Sequence, residues 1–160
     1  MVFGLRGKKT ILVLALFFIV GCANTLQTDT TTPNEQLQPP AIDELCFPNK
    51  CIVIERALTP EEQARGLMFR TGIAEDEGML FSFPNAGQRF FWMKNVSFPI
   101  DIIWLDAGKK VAGITRAEPC TADPCQTYPS PEGVKYVVEV ASGFSEKNGV
   151  IAGTEAVFSG

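Results

Sequence analysis

The sequence predicts a mostly β domain of the α+β class, a compact curled antiparallel sheet that is barrel-like or sandwich-like, with one or two short helices. Short runs of β-branched and aromatic residues recur along the second half of the chain, and turn-forming residues separate them. Only the segments that begin at Thr59 and Ser142 have the composition of helices. No internal repeat is visible, and the length suits one folded domain.

The first 21 residues have the pattern of an export signal. Three basic residues precede an apolar run over residues 11–20, about half of the roughly 20 residues needed to span a bilayer. Gly21 and Cys22 follow this run, as in a bacterial lipoprotein signal. We therefore predict a signal peptide over residues 1–21 and a lipid anchor on Cys22. The alternative is an uncleaved signal anchor in which Cys22 has no role.

Residues 22–44 are expected to form a flexible tether, because they are rich in Thr, Gln, Asn and Pro and poor in large apolar side chains. The folded domain is expected over residues 45–160. Cleavage before Cys22 changes the formal charge from −4 to −7, since three of the 14 basic residues leave and all 18 acidic residues stay. Such an acidic protein is a poor partner for nucleic acid, and the membrane contact is expected through the lipid.

Four further cysteines fall into two pairs with the same spacing: Cys46, Cys51, Cys120 and Cys125. An even number of cysteines in an exported domain indicates disulfides, and we favour the two local bridges among three possible connectivities. A four-thiolate metal site and a redox pair are the alternatives. The chain lacks histidine and the Cys-x-x-Cys spacing typical of both, so no metal and no cofactor are expected.

The first strand is expected over residues 51–57, and a short helix follows. Thr59 and Glu62 have the spacing of a capping box, and Pro60 suits the first helical position, so the helix is expected to run to about Met68. The remaining strands are expected at residues 78–83, 90–93, 101–106, 110–116, 136–140 and 156–158.

Pro84 is expected to end the second of these strands, and residues 118–133 are expected to form a loop that holds the second cysteine pair. A second helix is expected within residues 142–148, ended by Gly149. Aromatic side chains in a domain of this size are more often core than ligand-stacking residues. The predicted aromatic core comprises Phe81, Phe83, Phe90, Phe91, Trp92, Phe98 and Trp104.

Charged and polar residues beside apolar runs are the ligand-binding candidates: Arg65, Arg70, Lys94, Asn95, Asp101 and Glu139. One hypothesis pairs a basic side chain of this set with one of its two carboxylates, because an unpaired buried charge is costly. The other is a ligand pocket in which the basic groups hold a carboxylate or phosphate. Without histidine, Ser-His-Asp and Cys-His catalysis are excluded, while carboxylate-pair chemistry with Asp101 and Glu139 is possible in principle.

Several blocks of the sequence resemble the domain-of-unknown-function family 192 (DUF192). The blocks are residues 65–70 (RGLMFR), 78–81 (GMLF), 91–95 (FWMKN), 99–101 (PID) and 136–139 (YVVE). The resemblance covers about residue 51 to the end and implies a compact β-rich fold, often behind an export signal. It implies no established activity, so the motif residues are candidates without roles. Many members have Thr where this chain has Val96, so a hydroxyl contact is not expected there.

These observations predict an exported, membrane-anchored lipoprotein whose domain lies on the extracytoplasmic side. Its most favoured role is a non-catalytic binding or assembly module that contacts an envelope protein or a small anionic ligand. Two alternatives remain open. One is an enzyme of unassigned reaction that uses a pocket of Lys94, Asn95 and Asp101, and the other is an envelope folding or stress factor.

Overall fold

A computed structural model describes residues 43–159, so the predicted signal peptide, Cys22 and nearly all of the predicted tether lie outside the described residues. The described part contains eight strands and two short helices, which confirms the mostly β class. The elements are β1 (Glu44–Phe47), β2 (Lys50–Ala57), α1 (Pro60–Arg65), β3 (Glu77–Gly87), β4 (Phe90–Trp92), β5 (Ile100–Asp106), β6 (Val111–Ala117), β7 (Thr127–Pro129), β8 (Val134–Ala141) and α2 (Phe144–Asn148).

Six strands form one sheet in the order β1-β2-β3-β8-β5-β6, and β4 pairs with β7 in a small second sheet. All neighbours are antiparallel except β2 and β3, which run parallel because α1 and the segment after it carry the chain back between them. The main sheet is therefore mixed. It does not close into a barrel within the described residues, since β1 and β6 are its two edges.

The C-terminal segment links these two edges. Val157 forms an isolated bridge with Cys46 in β1, and Glu155 forms another with Lys110 beside β6. The strand expected over residues 156–158 is thus reduced to single bridges. At the same corner, the guanidinium of Arg56 binds the Asp43 carboxylate and also donates to the carbonyl oxygen of Ser159 at 2.5 Å.

Both faces of the central strands are buried. The first face carries Leu80, Ile103 and Val138, and α2 and the C-terminal segment cover it. The second face carries Met79, Ile102 and the middle of β8, and the segments after α1 and β4 cover it through Leu67, Met93 and Val96. Strands buried on both faces read as continuous apolar runs, which explains why a polar residue in β8 is conspicuous.

The helix ends follow the expected capping chemistry. Thr59 accepts a hydrogen bond from the Glu62 N–H at 3.1 Å, and the Glu62 carboxylate accepts one from the Thr59 N–H at 2.9 Å, which completes the capping box. The helix ends at Arg65, earlier than expected, because Gly66 has a φ of +48°. Gly149 ends α2 in the left-handed region, as expected.

Two details of the sequence prediction were wrong. Pro84 does not end β3, which continues to Gly87; the proline lies in an irregular stretch between Ser82 and Gly87 where the pairing with β8 shifts. Phe90 and Trp92 are 65% and 46% exposed, so they are not core residues. Strand β4 belongs to the small sheet, and only its middle residue turns inward.

The inward residue of β4 is Phe91. Its ring packs edge-on against those of Phe81 and Trp104, with centroids 5.1 and 5.3 Å apart. Phe81 and Trp104 are fully buried, as predicted, and Phe83 and Phe98 pack against the same cluster while remaining partly exposed. Strands β1 and β7 were not expected from the sequence.

The two local disulfides are present, Cys46–Cys51 and Cys120–Cys125. The first joins directly opposed residues of β1 and β2, and the second closes the loop before β7. Among residues 43–159, no group of three or more potential metal ligands comes together. No helix in that part of the chain is long and apolar enough to cross a membrane.

Candidate binding site around Glu139

Glu139 lies in the middle of β8 with its side chain on the second face. The strand register places it between Met79 of β3 and Ile102 of β5, which are both buried and apolar. Glu139 is 5% exposed, and its Oε2 atom has no hydrogen-bond partner among residues 43–159. Burial raises the pKa of this carboxyl to about 8, although the Arg70 charge acts in the opposite direction. The group is therefore mostly a neutral acid near pH 7.

The segment that follows α1 crosses directly over the Glu139 carboxyl. A Cβ atom on Gly66 would lie 3.5 Å from Glu139 Oε2 and 3.5 Å from Cζ of Phe81. Gly66 also adopts a positive φ and donates its N–H to the Glu62 carbonyl at 2.8 Å. A glycine suits this position because other residues rarely adopt that backbone conformation.

A small cleft of about 30 Å³ opens beside the carboxyl. This volume accommodates one group of about the size of a water molecule. Its walls are apolar or aromatic except for the buried Glu139 carboxyl and the side chains of Gln63 and Arg65. The lining residues are Gln63, Ala64, Arg65, Gly66, Leu67, Met68, Phe81, Phe91, Trp92, Val96 and Glu139.

Neither neighbouring arginine forms a salt bridge with Glu139. Arg70 instead pairs with Glu55, with Nη2 and Oε2 2.6 Å apart. Arg65 lines the cleft but is exposed. The pKa of Glu62 is lowered mainly by hydrogen bonds from backbone N–H groups at the start of α1, and the Arg65 charge adds a smaller contribution.

Lys94 and Asn95 lie on the turn that follows β4, next to the rim of the cleft. The Lys94 Nζ atom is 5.3 Å from the ring centroid of Trp92, which itself lines the cleft. Asn95 has a φ of +55°, and its carbonyl accepts a hydrogen bond from the Phe69 N–H at 2.9 Å. Asparagine tolerates this left-handed conformation better than most residues, so Asn95 holds the turn against the segment that covers Glu139.

Asp101 lies on the other face of the sheet. Its carboxylate accepts hydrogen bonds from the N–H groups of Gly143 at 3.1 Å and Ser145 at 3.0 Å, at the start of α2. Asp101 is paired with Val140, whereas Glu139 is paired with its neighbour Ile102, so the two carboxylates point to opposite faces. They cannot act together on one substrate, and neither forms a salt bridge with an arginine or lysine of the described part of the chain.

The structure thus separates the six candidates. Glu139 and Arg65 line one cleft, and Arg70 and Lys94 lie beside it. Asn95 lies in the turn after β4. Asp101 lies on the other face of the sheet, at the start of α2. Gly66 was missed as a site residue, although a glycine directly after a helix and inside a resembling block was a usable signal.

The fold and the cleft together define a compact β-rich domain with one buried acid at a surface opening. The chain belongs to the DUF192 family, whose model, described as "Uncharacterized ACR", matches residues 45–158. No curated protein matches the sequence at a significant level.

Two solved structures are similar. One is a "putative transcription regulator" from Sinorhizobium meliloti 1021, at 28% identity and a TM-score of 0.65, covering 72% of this chain and 90% of that one. The other is a protein of unknown function from Novosphingobium aromaticivorans DSM 12444, at 28% identity and a TM-score of 0.62, covering 72% and 82%.

Four of the five blocks that resemble DUF192 are distant in sequence but meet at this cleft. Residues 65–68 come from the first block and Phe81 from the second. Phe91 and Trp92 come from the third, and Glu139 comes from the last. Segments from α1, β3, β4 and β8 therefore contribute to one small site.

Proposed function

We propose that the protein is an exported, lipid-anchored binding module whose ligand contacts the Glu139 cleft. The observation that carries the proposal is the meeting of four resembling blocks around a buried carboxyl that lacks a partner. A buried polar group usually has a hydrogen-bond partner, so an orphan acid that lines an opening is a candidate for contact with a ligand.

The proposed location rests on two further features. The sequence around Cys22 has the lipoprotein pattern, and the domain carries two disulfides, which are typical of oxidising compartments outside the cytoplasm. A diacylated cysteine supplies the two hydrophobic chains that stable anchoring requires.

Lipidation is testable by mass spectrometry and fatty-acid labelling in a bacterial host. We expect the wild-type chain to begin at Cys22, to carry a diacylglyceryl mass and to incorporate label. Cys22→Ala is expected to lose the label and to retain residues 1–21. The double variant Cys120→Ser/Cys125→Ser is the matched control and should keep the label. Label on Cys22→Ala, or none on the wild type, would contradict the lipid anchor.

Ligand binding is testable by a thermal-shift screen of small anions, sugars, metal ions and amines. A ligand at ten times its Kd adds about 1.4 kcal/mol of stability, which raises Tm by roughly 5 °C in a domain of this size. We expect at least one hit that shifts the wild type and the control Glu132→Gln, an exposed carboxylate outside the cleft lining, but not Glu139→Gln. A complete screen without such a hit rejects the cleft as a small-molecule site.

A catalytic role is the second candidate, and the raised pKa of Glu139 favours it, because acids with such values are typical of general acid–base catalysis. A transcriptional role like that named for the Sinorhizobium protein gains no support from the composition of this chain, whose acidic balance opposes contact with DNA. A folding or stress role would require an envelope-protein partner, which co-purification from membranes tests.

A further inference from the structure

We propose that the Glu139 cleft binds a primary ammonium group, supplied either by a free amine or by a lysine side chain of a partner protein. This inference rests on the proposed binding function and specifies its ligand chemistry.

The size of the cleft limits what enters it. About 30 Å³ admits one group of about the volume of a water molecule, and a primary ammonium has that size. A phosphate, a sugar ring or a planar guanidinium is larger. The entering group is therefore the small tip of a ligand whose remainder stays outside, against the exposed side of Trp92.

The polar chemistry of the cleft favours a cation. Glu139 Oε2 is buried and unpartnered, and an ionised carboxylate only accepts hydrogen bonds, whereas an ammonium offers three donors. Among the groups packed around Glu139, Met79 and Ile102 are uncharged, and Arg70 is held by Glu55. No cation within the described residues pairs with the carboxyl, so the place of a counter-charge is open to a ligand.

The aromatic walls add to this preference. Phe81, Phe91 and Trp92 line the cleft, and aromatic rings attract cations through their negatively charged faces. The protein already places the Lys94 ammonium 5.3 Å from the Trp92 ring centroid, on a residue that reaches the rim. An anion would find only the exposed Arg65 as a cationic partner among the lining residues, and it would be repelled by the carboxyl whenever that group ionises.

Binding has a defined proton balance. In the free protein near pH 6.5 the carboxyl holds its proton, and the ligand amine is already an ammonium. When the ammonium enters, the carboxyl O–H bond breaks, the proton goes to the buffer, and N–H···O bonds form to the carboxylate. About one proton is therefore released for each ligand bound.

Calorimetric titration with methylammonium and n-butylammonium chloride tests this proposal, near pH 6.5, in two buffers of different ionisation enthalpy. We expect the release of about one proton, and a loss of about tenfold or more in affinity with Glu139→Gln, which leaves the ammonium without a charged acceptor. The control Glu132→Gln, at an exposed carboxylate outside the cleft lining, should bind like the wild type. Tetramethylammonium, which has no N–H donor, should bind at least about tenfold more weakly than methylammonium.

The blocked peptide acetyl-Gly-Lys-Gly-amide, whose lysine side chain is its one primary ammonium, separates the two sources of the ammonium. Tighter binding of the peptide than of n-butylammonium, reduced by Trp92→Ala, supports a protein lysine; equal or weaker binding of the peptide supports a free amine. Equal amine binding by folded Glu139→Gln, or no amine binding, overturns the inference. If a ligand of another class binds in a Glu139-dependent manner, the proposed binding function is retained and only the ammonium specificity is rejected. If no ligand binds in this manner, both the binding function and the ammonium specificity are rejected.

Discussion

Glu139→Gln is expected to make the domain more stable than the wild type at pH 8 and above, and to flatten the pH dependence of its stability between about pH 5 and 8. The folded-state pKa of Glu139 is about 8, above the ordinary value of 4.5, because burial disfavours the charged form. Across this interval the folded state binds more protons than the unfolded state, so stability falls as pH rises. The full decrease in the free energy of unfolding of the wild type across this interval is on the order of a few kcal/mol.

The glutamine amide has the same shape as the neutral acid and does not titrate, so it avoids the cost of a buried charge. At pH 5 the variant should be no more stable than the wild type, because the wild-type carboxyl is then protonated. Urea unfolding at a series of pH values measures the effect as a shift of the midpoint. The matched control Glu132→Gln, an exposed carboxylate outside the cleft lining, should keep the wild-type slope. If the stabilities of the wild type and Glu139→Gln changed with pH in parallel, Glu139 would not be the group with the raised pKa.

Asp101→Ala is expected to destabilise the domain by about 3 kcal/mol, because it leaves two N–H groups at the start of α2 without acceptors in a buried place. Asp101→Asn retains one acceptor oxygen and should lose roughly half as much. Helix α2 contributes Phe144 to the first face, so its loosening also weakens that part of the core.

Chemical denaturation gives the stability loss, and hydrogen exchange at Gly143 and Ser145 locates it. Asp106→Ala is the control: Asp106 accepts a hydrogen bond from the Lys110 N–H at 2.9 Å in an exposed turn, and its loss should cost about 1 kcal/mol or less. An Asp101→Ala variant with normal stability but lost ligand binding would instead return Asp101 to the ligand site.

Local chemistry explains what could be predicted from the sequence. The capping box at Thr59, the turn between β5 and β6 and the two disulfides all depend on residues a few positions apart. Strand β1 was missed because it follows a polar segment and gains its stability from pairing with β2. The inward turn of Phe91 and the exposure of Trp92 depend on a second sheet that only β7 creates, and β7 lies in a segment that looks like loop.

The candidate site was predictable only where it depends on residues that are close in the sequence. Glu139 is recognisable because a carboxylate interrupts an apolar strand, and the alternation of β8 correctly assigns it to the face opposite Val138. The separation of Glu139 from Asp101 was not predictable, because it depends on the register between β5 and β8, and a long connection leaves that register undetermined. The contact of Gly66 with the carboxyl depends on the same tertiary pairing.

The bridge that Arg56 forms between Asp43 and Ser159 has a consequence for how this domain can be joined to other polypeptides. Residues 43 and 159, the first and last described residues, are neighbours, as in domains that tolerate circular permutation or insertion into a host loop. We therefore expect a circularly permuted domain to fold when a short linker joins residue 159 to residue 43 and new termini are opened at the exposed Ala107–Gly108 turn. The proposed ligand site, built from α1, β3, β4 and β8, would keep all of its connections.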